Sequence, residues 1–231
     1  MASGVLAVIP ARGGSARIPR KNLRLFNGRP MIEWSLAACQ EIAGVDEIVV
    51  STEDPEISRI ARSSGATRVI DRPAELASDT AGTAPVVRHA LDELSVSDDA
   101  LVMCLYATAH LPSSMIEEVI GLVLRNPEDF VVTVGRHRSP FERSLLLEKD
   151  GLMSMMSGEY LLSRTQDLPT RFFDAGKVYL AKASVWRERD TMMAAPFVPF
   201  FLPDWAAVDL DEPEDWPVAE TLHREFVLGR S

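Results

Sequence analysis

One stretch constrains this chain more than any other: a short apolar run that stops at a proline and opens into a basic, glycine-containing loop. Val5-Leu6-Ala7-Val8-Ile9 leads through Pro10 into Ala11-Arg12-Gly13-Gly14-Ser15-Ala16-Arg17-Ile18-Pro19-Arg20-Lys21-Asn22. An unbroken apolar run shows no polar face to solvent, so it reads as a strand buried on both sides, the habit of parallel sheets. Ligands of such sheets sit beyond the carboxyl ends of the strands, where this loop would lie. From Met1 to Ile32 there are six cations (Arg12, Arg17, Arg20, Lys21, Arg24, Arg29) and no acid, although the whole chain is formally −10. A cationic loop with adjacent glycines in an acidic protein is an anion site, and a polyphosphate is its obvious guest.

The rest of the chain alternates strand and helix. Strands are predicted at Val5–Ile9, Glu47–Ser51, Thr67–Ile70, Ala100–Tyr106 and Phe130–Val134, and helices at Pro30–Ile42, Pro55–Ser64, Thr83–Leu94 and Ser113–Leu124. This rhythm predicts an α/β protein with three α/β/α layers around a mostly parallel, twisted sheet. It breaks between Gly135 and about Arg171, where short strands at Leu145–Leu147 and Leu152–Met156, joined at Asp150-Gly151, would form a hairpin arm. Strands then return at Lys177–Leu180 and Phe197–Phe201, and a last helix spans about Glu212 to Leu228. The expectation is one domain over 1–231, with 135–171 as an arm inserted in it.

Composition narrows the partners. A pI near 4.9 argues against nucleic acid, which needs a broad basic face. No apolar run approaches the ~20 residues of a membrane span, and no secretory leader is visible. Cys39 and Cys104 sit in apolar segments and read as reduced core thiols, so a cytoplasmic location is expected.

Four constellations could carry chemistry. The loop Arg12–Asn22 lacks the spacing of a P-loop or a dinucleotide fingerprint; what remains is backbone N–H groups that approach phosphates, with Arg12 and Lys21 supplying charge. Arg17, Arg20 and Arg24 read individually as surface charge. Between Asp204 and Glu220 there are seven acids and no base. In extended backbone the two-residue spacing of Asp209 and Asp211 points both carboxylates to one side, and two carboxylates plus substrate phosphates suit Mg²⁺. Asp211 reads equally as the cap of the last helix, through Asp211-Glu212-Pro213-Glu214. Arg72-Pro73-Ala74-Glu75-Leu76-Ala77-Ser78-Asp79-Thr80 is a loop whose end could cap the next helix. Ser163-Arg164-Thr165-Gln166-Asp167, with Arg171 and Asp174, offers guanidinium and amide groups suited to a carboxylate-bearing, hydroxyl-rich ligand. The histidines show no zinc spacing, and His89 and His223 read as surface residues of helices.

The first loop resembles the amino-terminal signature of the cytidylyltransferases that activate sialic-acid-like sugars. Arg72–Thr80 resembles that family's base-binding loop, and Val208-Asp209-Leu210-Asp211 its metal segment. Tyr106-Ala107-Thr108-Ala109-His110-Leu111 and Phe173-Asp174-Ala175-Gly176 are most similar to the pseudaminic acid branch, although His110 replaces that branch's usual proline. The resemblance covers nearly the whole chain. It implies a nucleotidyltransferase (Rossmann-like) fold with a dimerisation arm, a homodimer, and a reaction in which CTP and an acidic nine-carbon 2-keto (nonulosonic) sugar give CMP-sugar and pyrophosphate. Arg12 and Lys21 would hold the triphosphate, and Asp209 and Asp211 would hold Mg²⁺, or Mn²⁺ in its place. Ala11, Gly13, Gly14, Ser15, Asn22, Arg72, Ser78, Asp79 and Thr80 would line the nucleotide. Tyr106, Thr108, Arg164, Gln166 and Asp174 would face the sugar. Legionaminic acid, N-acetylneuraminate and Kdo are the rival sugars, and a catalytically silent nucleotide-binding protein on the same fold is the rival of another class.

Overall fold

The computed structural model describes residues 4–78 and 80–230. Its strands are β1 (Val5–Pro10), β2 (Leu25–Phe26), β3 (Arg29–Pro30), β4 (Val45–Thr52), β5 (Arg68–Asp71), β6 (Leu101–Leu105), β7 (Phe130–Arg136), β8 (Leu145–Leu147), β9 (Met153–Met155), β10 (Phe172–Lys182) and β11 (Phe197–Phe201). Its helices are α1 (Met31–Gln40), α2 (Pro55–Ser63), α3 (Thr83–Glu93), α4 (Ser113–Arg125), α5 (Ala183–Glu188) and α6 (Asp215–Phe226). A seven-stranded sheet has the order β11-β7-β10-β6-β1-β4-β5. Its strands run parallel except β10, which pairs antiparallel with both β6 and β7.

Alternation along the strands builds both faces. Val5, Ala7 and Ile9 of β1 pack on one side with Ile32 and Leu36 of α1, Ile57 of α2, and Ile116 and Val119 of α4. Leu6 and Val8 pack on the other side with Val87 and Leu91 of α3 and Trp186 of α5. A third apolar cluster joins Ile18 of the basic loop and Phe26 to Leu210 and to Trp216 of α6. That cluster fastens the two ends of the chain together beside the mouth of the sheet.

Several local features differ from expectation. Asn27 and Gly28, with φ of 45° and 85°, make the two-residue turn between β2 and β3 that an Asn-Gly pair favours. The strand expected at Lys177–Leu180 extends over Phe172–Lys182, because β7 and β10 form one antiparallel pair and the arm is its long connection. The arm therefore leaves the sheet at the carboxyl end of β7, the side on which β1 and β6 also end. It carries the expected hairpin, with Leu145 opposite Met155 and Leu147 opposite Met153. The last helix starts at Asp215 rather than Glu212. The Asp215 carboxylate accepts the N–H groups of Asp211 and Glu212 at 3.0 and 2.7 Å, so the turn before α6 is closed by Asp215 and not by Asp211. Gly82 stands at the N-cap of α3, so Thr80 does not cap it. Asp79 lies outside the described residues.

Candidate functional site

The basic loop is built to stay open over the ends of β1 and β4. The Ala11 N–H donates to the Ser51 carbonyl at 3.0 Å, and the Gly13 N–H donates to Glu53 Oε1 at 2.7 Å. A Cβ on Gly13 would stand 2.5 Å from the Asp54 carboxylate, so glycine is required there by close approach. Arg20 adopts φ 55° and pairs with Asp54 and with Glu56, pinning the loop to the N-terminus of α2. Asn22 Nδ2 donates to the Arg12 carbonyl at 2.9 Å and closes the loop on itself.

What this scaffold leaves open is a cavity of about 280 Å³ at the carboxyl ends of β1 and β6. Arg12, Gly14, Ser15, Arg17, Lys21 and Asn22 form one wall, Arg72, Gly82 and Thr83 another, and Tyr106, Thr108 and Asp211 complete it. A Cβ on Gly14 would meet nothing within 4 Å, so its backbone is bare towards the cavity.

Asp211 is the acidic counterpart of the loop. Its Oδ2 lies 2.8 Å from Arg17 and its Oδ1 3.5 Å from Lys21, whose ammonium also donates to the Leu210 carbonyl at 2.6 Å. Arg17, read from sequence as surface charge, is thus a cavity residue. Its pKa is raised, chiefly by the charge of Asp211. Asp209 lies just outside the cavity, exposed, with the Leu210 N–H bonded to Oδ1 at 2.8 Å. Leu210 between them is wholly buried in the third apolar cluster, while Asp209 is exposed and Asp211 half-exposed on either side of it. Among the described residues, no group of three or more His, Cys, Asp and Glu side chains could hold a metal ion. The donor set fits a hard divalent cation that takes two carboxylates and completes its shell with phosphate oxygens and water.

Arg72 is buried. It donates through Nε to Ser51 Oγ at 3.2 Å and through its second amino group to the Ser51 carbonyl at 2.6 Å. Burial lowers its pKa, opposed by the charge of Glu53. The expected contacts at Ser78 and Thr80 are not made in this cavity. Their hydroxyls lie 3.4 Å from each other in an exposed turn, and Ala81, Gly82 and Thr83 line the wall instead.

On the side expected for the sugar, Tyr106 lines the cavity and its hydroxyl shares a short hydrogen bond with Thr83. Burial pushes its pKa up. The Tyr106 ring stands 5.6 Å from that of Tyr179, whose hydroxyl donates to the Asp174 carboxylate at 2.7 and 2.8 Å. Asp174 is exposed and is not among the residues that line the cavity. Arg164 and Gln166 are not brought to the cavity by this chain. They lie on the arm in an exposed 3-10 turn, where Arg164 pairs with Asp167 at 2.7 Å.

Three buried polar residues escaped the sequence reading. Lys177 is wholly buried and donates to the Val208 carbonyl at 2.8 Å. Burial lowers its pKa to about 8, opposed by the charges of Asp209 and Asp211. Its signal was a lone cation in an apolar strand run. His223, expected at the surface, is buried between Phe26 and Trp34, with ring centroids 5.1 and 4.6 Å away. Burial lowers its pKa to about 4. His110 is buried beside it, its Nδ1 bonded to the Thr108 carbonyl at 2.8 Å and its Nε2 without a partner among the described residues. Burial, then the charge of Lys177, drives its pKa well below the usual value.

The sequence matches the family model described as Cytidylyltransferase over residues 6–212. A pseudaminic acid cytidylyltransferase of Campylobacter jejuni is 32% identical over 222 residues, which cover 95% of this chain and 96% of the relative. A CMP-N,N'-diacetyllegionaminic acid synthase of Legionella pneumophila is 27% identical over 222 residues, covering 94% and 95%. Among solved structures, a CMP:2-keto-3-deoxy-manno-octonic acid synthetase complexed with CTP superposes with a TM-score of 0.69 over 96% of this chain and 99% of that one. At 16% identity, that likeness speaks for the fold alone.

Proposed function

The chain belongs to the cytidylyltransferase family, and from that premise we propose that it transfers CMP from CTP to a nine-carbon 2-keto sugar acid, pseudaminic acid first, and releases pyrophosphate. The observation that carries this reading is the pairing across the cavity: Arg17 and Lys21 of the basic loop face Asp211 at 2.8 and 3.5 Å. Cations for phosphate and a carboxylate for a phosphate-bound cation meet at one place.

In this reading Arg12 and Lys21 hold the outer phosphates and stabilise the charge that gathers on the leaving pyrophosphate, while the bare backbone at Gly14 and Ser15 lets the chain approach them. Asp209 and Asp211 would hold a divalent cation, Mg²⁺ in the cell. When bound, it supplies charge neutralisation on the phosphates. Arg17 and Lys21 hold Asp211 at the cavity until then. Asn22 keeps the loop in shape by holding the Arg12 carbonyl, and Arg72 with the Gly82-Thr83 wall borders the base and ribose. The sugar approaches past Tyr106 and Thr108, so that its anomeric hydroxyl lies in line with the α-phosphorus. Positioning of that kind is the larger part of such catalysis.

The arm exposes Leu147 at 71% and Leu162 at 94% of their surface, and a two-stranded hairpin with unsupported faces is marginal alone. We read it as the contact to a second copy in a homodimer, which would bring Arg164 and Gln166 to a sugar site. Cys39 and Cys104 are free, buried thiols, in keeping with a cytoplasmic enzyme.

The choice of sugar rests on Tyr106. Its hydroxyl is engaged by Thr83, so it offers the sugar an apolar ring. A ring suits the terminal methyl of pseudaminic acid better than the hydroxyl of N-acetylneuraminate. An apolar wall rejects an added hydroxyl by ~10², and discriminates for one methyl by no more than about that. The test is kcat/KM on purified sugars. Pseudaminic acid should exceed N-acetylneuraminate clearly and other deoxy nonulosonic acids only modestly; equal turnover of N-acetylneuraminate would remove the role given to Tyr106.

A further inference from the structure

The segment 208–211 belongs to no strand or helix, so no ladder of backbone hydrogen bonds fixes it. Two ammonium groups do that instead. Lys177 of β10 donates to the Val208 carbonyl at 2.8 Å, and Lys21 of the basic loop donates to the Leu210 carbonyl at 2.6 Å. The carbonyls on either side of Asp209 are thus gripped from two different elements, and the Leu210 side chain anchors the same segment in the apolar cluster.

The two lysines differ in their cost. Lys21 is partly exposed, lines the cavity and has a carboxylate nearby. Lys177 is wholly buried; among the described residues its ammonium donates to a carbonyl, and the charges of Asp209 and Asp211 offset its burial only in part. Burying an ammonium against a single neutral acceptor is expensive, and an apolar side chain of similar length would favour folding more. That expense is incurred one residue away from the carboxylate pair and nowhere else in the apolar run of β10.

We propose that Lys177 is a positioning residue for the reaction. By holding the Val208 carbonyl it fixes the backbone of 208–211, so that Asp209 and Asp211 present their carboxylates together to the divalent cation and the phosphates. This rests on the reading of that pair as the metal-holding residues. It also has a sign that simple charge does not share. A buried cation acting only through its charge repels the metal, so its removal would tighten metal binding. A cation acting through the carbonyl it holds organises the ligands, so its removal loosens binding.

The experiment measures Mn²⁺ binding in the presence of CTP, by the electron paramagnetic resonance of the free ion. It compares the wild type, Lys177→Met, Lys177→Gln and Asp211→Asn, with melting temperature, CMP affinity and kcat recorded beside it. Lys177→Met should weaken Mn²⁺ binding about tenfold and lower kcat in step, with CMP affinity unchanged. Lys177→Gln keeps a shorter donor and should lose less in the same direction. Should Lys177→Met fail to fold, the direction of change in Lys177→Gln decides. Unchanged or tighter Mn²⁺ binding in the variant that folds overturns the proposal, including the case of a lower melting temperature alone. The Asp211→Asn control separates the two readings. If it binds Mn²⁺ like the wild type, the metal-holding role fails and the proposal with it. If it loses binding while the Lys177 variants do not, only the role of Lys177 falls.

Discussion

The cleft and the arm leave the same side of the sheet, yet opposite physics holds them. In the cleft, charge meets charge or carbonyl at short range: Arg17 on Asp211, Lys21 on Leu210, Arg72 on Ser51. The apolar side chain there, Leu210, is buried. On the arm the reverse holds. Leu145, Leu146 and Leu147 of β8 are all exposed, and so are Leu152, Met153, Leu161 and Leu162. A β-strand that leaves both faces apolar and uncovered gains little from its own hairpin. The lining of the cleft comes from residues outside the arm, whereas the apolar faces of the arm are left uncovered. Nucleotide chemistry and assembly should therefore respond to different substitutions.

The largest separation is expected at the acidic segment. Asp211→Asn keeps the shape and removes the charge, and turnover should fall by about a hundredfold or more. Because Asp215 closes the turn before α6, the melting temperature should hardly move. Asp215→Ala should invert the pattern, costing about 1 kcal/mol of stability with a smaller loss of turnover. Kinetics and melting curves on the pair settle this. A large drop in melting temperature with near-normal turnover in Asp211→Asn would make that residue structural after all.

A smaller effect is expected on the opposite wall. Arg12→Ala and Lys21→Ala should each lower turnover by ~10–100-fold and weaken binding of CMP far less, because the proposed mechanism sets them on the outer phosphates. Lys21→Ala should be the worse of the two, since it also frees the Leu210 carbonyl. Equal losses in CMP binding and turnover would move these residues to the base or ribose.

The arm should then respond where the cleft does not. Leu147→Glu combined with Leu162→Glu should weaken self-association at least tenfold, on the order of 1.4 kcal/mol, seen by sedimentation. CMP binding to the cleft should persist, because none of its lining residues lies on the arm. Loss of CMP binding together with assembly would erase the contrast between the two regions.

The smallest effect distinguishes the regions by pH. His223, with its pKa lowered to about 4, and His110, lowered well below its usual value, are buried and neutral near the cleft. The unfolded chain takes up these protons near the ordinary histidine pKa of ~6.5, before the folded chain does. Their contribution is therefore present above that pH and is lost as pH falls towards the folded values. From pH 7 to pH 6 the two together should cost ~1 kcal/mol, measured by urea unfolding, and His223→Gln should flatten the slope. A slope unchanged in His223→Gln would mean that its neutral form is not what the fold requires.

Periodicity made much of this legible in advance. The strands and helices of the parallel half, the open loop after β1 and the hairpin of the arm all follow from local spacing. What escaped depends on partners far apart in the chain. Arg17 looks like any loop cation until residues 211 and 212, nearly two hundred positions later, fold against it. Asp211 looks like a helix cap until Asp215 takes the N–H groups instead. His223 sits on an amphipathic helix, but the cluster around Phe26 covers its face. Arg164 and Gln166 are absent from the cavity wall because they sit on an exposed 3-10 turn of the arm. Ser78 and Thr80 miss it because the wall is made a few residues later, at Gly82 and Thr83. Lys177, also missed, did carry a readable warning, a charge inside an apolar run.

If the basic loop and the Asp211 segment form one working site for CMP transfer to an acid sugar, the wild-type protein should release pyrophosphate from CTP when given Mg²⁺ and purified pseudaminic acid. Pyrophosphate and CMP-sugar should form in equal amounts, and only when CTP, sugar and metal are all present. Tight CTP binding with no pyrophosphate released on pseudaminic, legionaminic, N-acetylneuraminic acid or Kdo would contradict this reading, and would leave a nucleotide-binding protein on a cytidylyltransferase fold.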